Sequence, residues 1–348
     1  MATVHSKWME DNAPDEDVVI STRTRVARNF SGIPFPHMMN EEQAERVIHQ
    51  VEEASRRLAA DPELGVMGVL RVNYLPPLER EVLVAKHLIS PALAKESKPT
   101  AVLLRRDEAV SIMVDEEDHL RIQCLLPGFQ LGEAWALCSK VDDAFERELA
   151  YAFSESRGYL TACPTNVGTG LRASVMVHVP ALVMTDQAGQ VGSAILKLGL
   201  IIRGMYGEGS QARGNIFQVS NQITLGRSEE DIIDNLRAVA GQIIERERAA
   251  RQLLLREHRD ALEDRVWRAF GVLTHARRMA SVEAYQLLSD VRLGHDMGVL
   301  DGLDHGTLNE LLVVVRSGWI QKEAGRELDQ GERDTRRAEL IRRILTKA

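Results

Sequence analysis

Arginines recur in this chain close to residues able to accept protons. Arg23 and Arg25 stand two apart in STRTRVAR, residues 21–28, so on an extended strand both project from one face together with Ser21. Arg121 follows an acidic run, Asp115-Glu116-Glu117-Asp118, within DEEDHLRI at 115–122. Arg172 follows the tight loop Cys163-Pro164-Thr165-Asn166-Val167-Gly168-Thr169-Gly170, and Arg203 opens RGMYGEG, which contains Glu208. A guanidinium is a planar fork of donors that grips phosphate oxygens two at a time. A carboxylate can orient a reacting group and take its proton. Taken singly, each of these arginines reads as an ordinary solvated residue. The usual phosphate-binding loops are missing from the sequence: there is no G-x-x-x-x-G-K-S/T, and no G-x-G-x-x-G followed by H-R-D and D-F-G. If the chain holds a nucleotide, arginines on strands offer another way to hold its phosphates.

Strands and helices must bring these positions together. Residues 18–28 alternate as a strand does, and short β-leaning runs follow at 66–72, 100–105, 110–115 and 119–126, separated by turn-like segments. Residues 170–180 and 214–222 also read as extended. Asn40 and Gln43 form a capping box ahead of a helix whose apolar stripe is Ala44, Val47, Ile48, Val51 and Leu58. Residues 133–153 and 190–200 read as helices. Ser228 caps a long helix that opens with Glu229, Glu230 and Asp231, acids suited to the positive helix end. From about residue 240 helical patterns dominate, and Thr307 with Glu310 predicts a further capping box before LLVVV. The expected architecture is α+β: an antiparallel-sheet catalytic domain over 1–255, then a smaller all-helical domain over 256–348, joined by an Arg/Glu-rich helix near 229–265.

Composition bounds the function. With 348 residues, 44% hydrophobic and 27% charged, the chain is long enough for two domains with substantial cores. No apolar run approaches the ~20 residues of a membrane span, and the polar N-terminus lacks the order of a secretory signal. Cys124, Cys138 and Cys163 suggest reduced thiols, and the expected location is the cytoplasm. A net charge of −8 argues against general nucleic-acid binding. The 35 arginines against 8 lysines read mostly as composition bias, and a minority suffices for a phosphate clamp.

Taken together, the blocks STRTRVAR, DEEDHLRI, CPTNVGTGLRAS (163–174) and RGMYGEG with GNIFQVSNQITLG (203–226) resemble the phosphagen, or guanidino, kinase family. The likeness covers roughly residues 18–255. Within the family it is nearest to the bacterial protein-arginine kinases. The resemblance implies an antiparallel guanidino-kinase fold and an ATP-dependent phosphotransferase. It implies that Arg23, Arg25, Arg121, Arg172 and Arg203 surround the ATP phosphates, with Ser21 a neighbouring contact. Glu117 matches the carboxylate that binds the guanidino group and is the proposed base. Glu208 matches a second carboxylate on a closing loop, and Cys163 a reactive cysteine beside the guanidino nitrogens. Magnesium is expected to arrive with ATP, held by phosphates and water, with no direct protein ligand. Two positions depart from the pattern: Met176 stands where the family has a His near adenine, and Gln218 where creatine kinase has an acidic residue. An apolar Met176 can still pack on adenine. Asp115 stands where many relatives have Asn.

The same resemblance implies a protein substrate. The chain reaches STRTR by residue 21, leaving no room for the helical domain that encloses small guanidino substrates in the family, so an open acceptor site is expected. Residues 333–338, RDTRRA, resemble a phosphoarginine-binding motif in which Arg333 grips phosphate and Asp334 pairs the guanidinium; a charged helix face is the plainer reading. Expected partners are proteins with accessible arginines and, by resemblance, a zinc-binding activator and a Clp protease in stress and protein quality control. A homodimer or larger assembly is also expected. Leu311–Val315 reads equally as a buried helix or as part of such an interface. The alternatives are a kinase of free arginine or another small guanidino compound, an inactive phosphoarginine-binding adaptor and, least supported, an Arg-rich DNA binder.

Overall fold

The structure is a computed structural model that describes residues 5–61, 64–204 and 213–346. Its strands are β1 (Val19–Arg28), β2 (Met67–Arg71), β3 (Ala101–Arg105), β4 (Val110–Val114), β5 (Leu120–Pro127), β6 (Phe153–Ser154), β7 (Gly158–Tyr159), β8 (Leu171–His178), β9 (Leu200–Gly204) and β10 (Ile216–Asn221). Eight of them form one antiparallel sheet in the order β2-β3-β4-β5-β1-β8-β10-β9, and β6 pairs with β7 apart from it. The first strand in sequence is therefore central, hydrogen-bonded to β5 on one side and β8 on the other. Alternation decides which way its side chains point. The Thr22 and Thr24 hydroxyls donate to the Gly128 and Ala134 carbonyls, at 2.7 and 2.8 Å, on the side covered by helix α3 (Leu131–Glu148). That leaves Ser21, Arg23 and Arg25 on the opposite face.

Helix α1 (Glu41–Leu58) begins at the expected capping box of Asn40 and Gln43 and buries Ala44, Val47, Ile48 and Val51. It is followed by α2 (Pro77–Ala85), and α3 by α4 (Pro180–Met184), α5 (Ala188–Lys197) and α6 (Glu229–Glu257), the last capped by Ser228. The C-terminal part comprises α7 (Arg259–His275), α8 (Ser281–Asp296), α9 (His305–Val314), α10 (Ser317–Ala324) and α11 (Gln330–Leu345).

The helix expected over 190–200 is α5, ending at Lys197 ahead of β9, and three other boundaries differ from expectation for visible reasons. Helix α3 stops at Glu148 rather than 153, because the chain there joins the end of β1: Ser31 N–H donates to the Ala150 carbonyl at 2.8 Å and Ala152 N–H to the Asn29 carbonyl at 2.7 Å. The joining helix does not run to 265; His258, at φ −138° and ψ 31°, breaks it into α6 and α7. Helix α9 is capped one turn earlier than predicted, by the Asp304 carboxylate on Thr307 N–H. A charged acceptor makes the stronger bond to an amide, so Thr307 lies inside the helix.

One apolar core runs from the sheet through α3 and α6 into α7, α8, α9 and α11. Leu311–Val315 is buried within it, so that run belongs to this chain's own core. Polar ties accompany the packing. His178 on β8 bonds the Ser289 hydroxyl on α8 at 2.8 Å, and the buried Glu247 carboxylate of α6 accepts the N–H groups of Ala181 and Leu182 at the start of α4.

Candidate active site

Cross-strand register assembles the arginines. Arg25 on β1 pairs directly with Arg172 on β8, Ala27 pairs with Arg121 on β5, and Gln218 on β10 pairs with Arg203 on β9. All five arginines foreseen as phosphate ligands line one cavity of about 560 Å³. Glu117 and Cys163 stand in its wall with them. Burial, and then the neighbouring charges of Arg121 and Arg172, push the Arg23 guanidinium down to about 10. Burial acts on Arg25 in the same direction, reinforced by Arg23, Arg121 and Arg172. Cations crowded together out of water are held at an electrostatic cost that a bound polyanion relieves. The set therefore fits a polyphosphate chain.

The acidic turn divides its labour. Glu116 is drawn to Arg121 and to the Ser90 hydroxyl. Glu117 accepts from Arg121 at 2.9 Å yet keeps a half-exposed side chain. Burial raises the Glu117 carboxyl, while Arg121 pulls it the other way. Asp118 is a brace: its Oδ1 accepts from Ala162 N–H at 2.7 Å and from Asn29 Nδ2 at 2.6 Å, fixing the turn against the Cys163 loop. His119 holds the same corner, taking Phe30 N–H on Nδ1 at 2.9 Å and meeting the Pro34 carbonyl through Nε2 at 2.8 Å. Burial lowers this imidazole to about 4, in keeping with a neutral ring that donates once and accepts once.

The Cys163 loop is shaped by close backbone approaches. Gly168 lies at φ +112°, where a Cβ would sit 2.9 Å from the Thr224 carbonyl oxygen; at Gly170, φ +66°, it would sit 2.7 Å from that of Ala27. The Thr224 hydroxyl spans the loop to the carbonyls of Thr165 and Val167. Cys163 Sγ rests 3.0 Å from the Thr165 hydroxyl.

A second cavity, of about 430 Å³, adjoins the first at Glu117 and has the opposite character. Asp115, Glu116, Glu117 and Glu96 line it, with His37 and Lys98 as its basic members. Its far wall comes from residues 36–44 and 96–99, where sequence reasoning notes only a helix start at Asn40, Gln43 and Ala44 and no part of a site. Asp115 is almost wholly buried at φ +59°, and burial raises its carboxyl to about 8. Between its ordinary value of 3.8 and about 8, the folded chain holds a proton that the unfolded chain releases, so this group weakens folding progressively as pH rises through that window. Asp115→Asn is expected to raise the urea midpoint, with a gain that grows from pH 4 to about 8 and then levels off. A gain that stayed flat with pH would exclude this account.

Other expected residues fall elsewhere. Ser21 and Met176 are directly paired across β1 and β8, in line with Gln218, but both are buried and neither stands in the arginine cavity's wall. Gln218 instead accepts from Arg23 Nη2 at 2.8 Å, orienting that fork. Glu208 lies outside the described residues. Arg333 and Asp334 are remote, on α11: Arg333 donates to the Leu328 carbonyl at 2.7 Å, and Asp334 accepts from buried Arg337 at 2.6 Å.

An antiparallel sheet that sets an arginine-walled cavity against an acidic one, with a carboxylate at their boundary, suits transfer of a phosphoryl group to a cationic acceptor. Residues 38–250 match the family described as ATP:guanido phosphotransferase, C-terminal catalytic domain, and residues 259–348 match the protein-arginine kinase McsB C-terminal domain. The chain is 57% identical over 341 residues to the protein-arginine kinase of Moorella thermoacetica, covering 98% of this chain and 97% of that protein. It is 52% identical to that of Bacillus subtilis, covering 98% and 93%. Among solved structures, the duplicated taurocyamine kinase of Schistosoma mansoni aligns with a TM-score of 0.62 at 23% identity, over 72% of this chain and 36% of that one. A lombricine kinase aligns with a TM-score of 0.57 at 22% identity, over 69% and 72%. The chain belongs to the ATP:guanido phosphotransferase family and, within it, to the protein-arginine kinases. Among the described residues, no helix is long and apolar enough to cross a membrane.

Proposed function

We propose that this chain transfers the γ-phosphoryl group of ATP to arginine side chains of proteins. The observation that carries the reading is the position of Glu117, on the boundary between a cavity walled by arginines and one walled by acids. Arg23, Arg25, Arg121, Arg172 and Arg203 hold the phosphates and stabilise the charge that spreads over the transferred oxygens. The acidic cavity receives the acceptor guanidinium. Its pKa lies above ~12, so a nitrogen attacks only as its proton leaves. Glu117 orients that nitrogen toward the phosphorus and takes the proton as the N–P bond forms. Cys163 lies beside the same nitrogens, and Glu208 is the second orienting carboxylate. Magnesium arriving with the nucleotide would supply further charge neutralisation. Glu116 is already engaged by Arg121 and Ser90, consistent with a metal held by phosphates and water.

The same reading divides the chain near residue 255 into a catalytic and a helical domain. It includes a phosphoarginine site at Arg333 and Asp334, a zinc-binding activator, a Clp protease partner, a homodimer and a cytoplasmic setting. The decisive test offers ATP and magnesium with either a folded protein or free arginine, and reads N-phosphorylation by mass spectrometry under conditions that preserve acid-labile phosphate. The protein acceptor is expected to be modified preferentially. Faster turnover of free arginine defeats the protein-substrate reading.

A further inference from the structure

A third cavity, of about 480 Å³, opens where α2 meets the starts of α8 and α10. It shares Val84 and Pro91 with the arginine cavity. The segment 89–99 runs past all three cavities. Residues 89–92 line the arginine cavity, Pro91, Ala94 and Lys95 this one, and Glu96, Lys98 and Pro99 the acidic one.

The charge of the third cavity is opposite to that of the acceptor cavity. Among the described residues, Lys95, Arg213 and Arg316 line it with one carboxylate, Glu81. Arg80 also borders it but is a strut, its guanidinium donating to the carbonyls of Asn73, Leu75, Ala94 and Glu96. Ser281 and Ser317, the first residues of α8 and α10, line the cavity, and neither preceding residue, Ala280 or Arg316, caps its helix with a side chain. Each of these helix ends already has an acid beside it, Glu283 accepting from Ala280 N–H at 3.4 Å and Glu81 lying against Gly318, so the excess positive charge of the space comes from the three cations.

We infer that this cavity is a subsite for an acidic side chain of the polypeptide substrate, a few residues from the acceptor arginine. The inference rests on the protein-arginine kinase reading above. An extended chain sends successive side chains to alternate sides. A polypeptide laid along segment 89–99, with its arginine in the acidic cavity, therefore presents a neighbouring side chain to the cationic one. A free amino acid has no such side chain to offer, so the subsite separates polypeptide from small-molecule acceptors. Lys95 and Arg213 are exposed and within reach of an incoming chain.

The test uses the full chain with ATP, magnesium and peptides carrying one arginine, with Glu, Gln or Lys placed in turn at each of the four positions on either side. One position is expected to favour Glu over Gln by about tenfold in kcat/KM. That preference is expected to shrink with added salt, since exposed charges are screened over about 8 Å at physiological ionic strength. In Lys95→Gln/Arg213→Gln the ratio is expected to fall toward one. In Lys95→Glu/Arg213→Glu the same position is expected to favour Lys, an inversion that simple loss of folding does not produce. Equal use of all peptides by the unaltered chain overturns the subsite while leaving the kinase reading intact. A Glu preference that survives both double substitutions also overturns it. Phosphorylation of free arginine with no peptide modified sinks both readings.

Discussion

Glu117→Gln is expected to lower kcat for phosphoryl transfer by about 10²–10⁴-fold while nucleotide still binds. The amide keeps the shape of the side chain and can still orient a guanidinium, but it cannot take the proton that leaves the attacking nitrogen. Nucleotide binding persists because the arginine cavity is untouched, and Arg121, released from Glu117, retains Glu116. The pH profile provides a second readout. Burial raises the Glu117 carboxyl, so the acid limb of kcat/KM is expected above the ordinary carboxylate range of about 4.3 and is expected to disappear in the variant. Calorimetry with a non-hydrolysable nucleotide, beside a turnover assay, checks both halves. Near-normal turnover in Glu117→Gln would falsify the assignment of the base.

The largest effect on stability is expected from Arg28, the last residue of β1. Its guanidinium meets the buried Asp142 carboxylate of α3 through Nε and Nη2, the latter at 2.5 Å. It also donates through Nη1 to the Thr169 carbonyl in the Cys163 loop and lies 3.5 Å over the Tyr159 ring. Arg28→Met leaves Asp142 buried without its partner, a loss of about 3–5 kcal/mol. Arg28→Met/Asp142→Leu is expected to recover much of that, because the stranded charge is gone. Urea unfolding of the single and double variants measures the difference. An unchanged midpoint in Arg28→Met would show that the pair contributes little. Because the same fork reaches Thr169, the single substitution is also expected to loosen the loop that presents Cys163.

Much of the site was legible because its residues sit on strands, where alternation fixes which side chains share a face. Arg23 and Arg25, two apart on a strand, could be placed on one face before any coordinates, whereas Arg121, Arg172 and Arg203 joined them only through the resemblance to the family. The strands themselves were legible for the same reason, and α1 and α6 because Asn40 and Ser228 cap them as expected. Tertiary competition was not legible. Residues 149–153 carry a helical pattern, yet their amides and carbonyls find partners at the end of β1. The Asp118–Asn29 bond joins residues 89 apart, so nothing local announces it. The acidic cavity's far wall comes from two distant stretches, 36–44 leading into α1 and 96–99, and it became visible only when they met the acidic turn. Asp334 reads as the partner of a guanidinium, and nothing in the sequence announces that the fully buried Arg337, three residues on, donates to it.

β1 has a neighbour on each flank, and two of the five guanidinium groups ride on it. Amides hydrogen-bonded on an interior strand exchange with solvent only through the rarest and widest openings of a molecule, whereas edges and termini fray often. The spacing of Arg23 and Arg25 is therefore insulated from local breathing. On warming or in denaturant, the grip on phosphate should persist until the whole sheet gives way, so that inactivation through this element is abrupt instead of gradual.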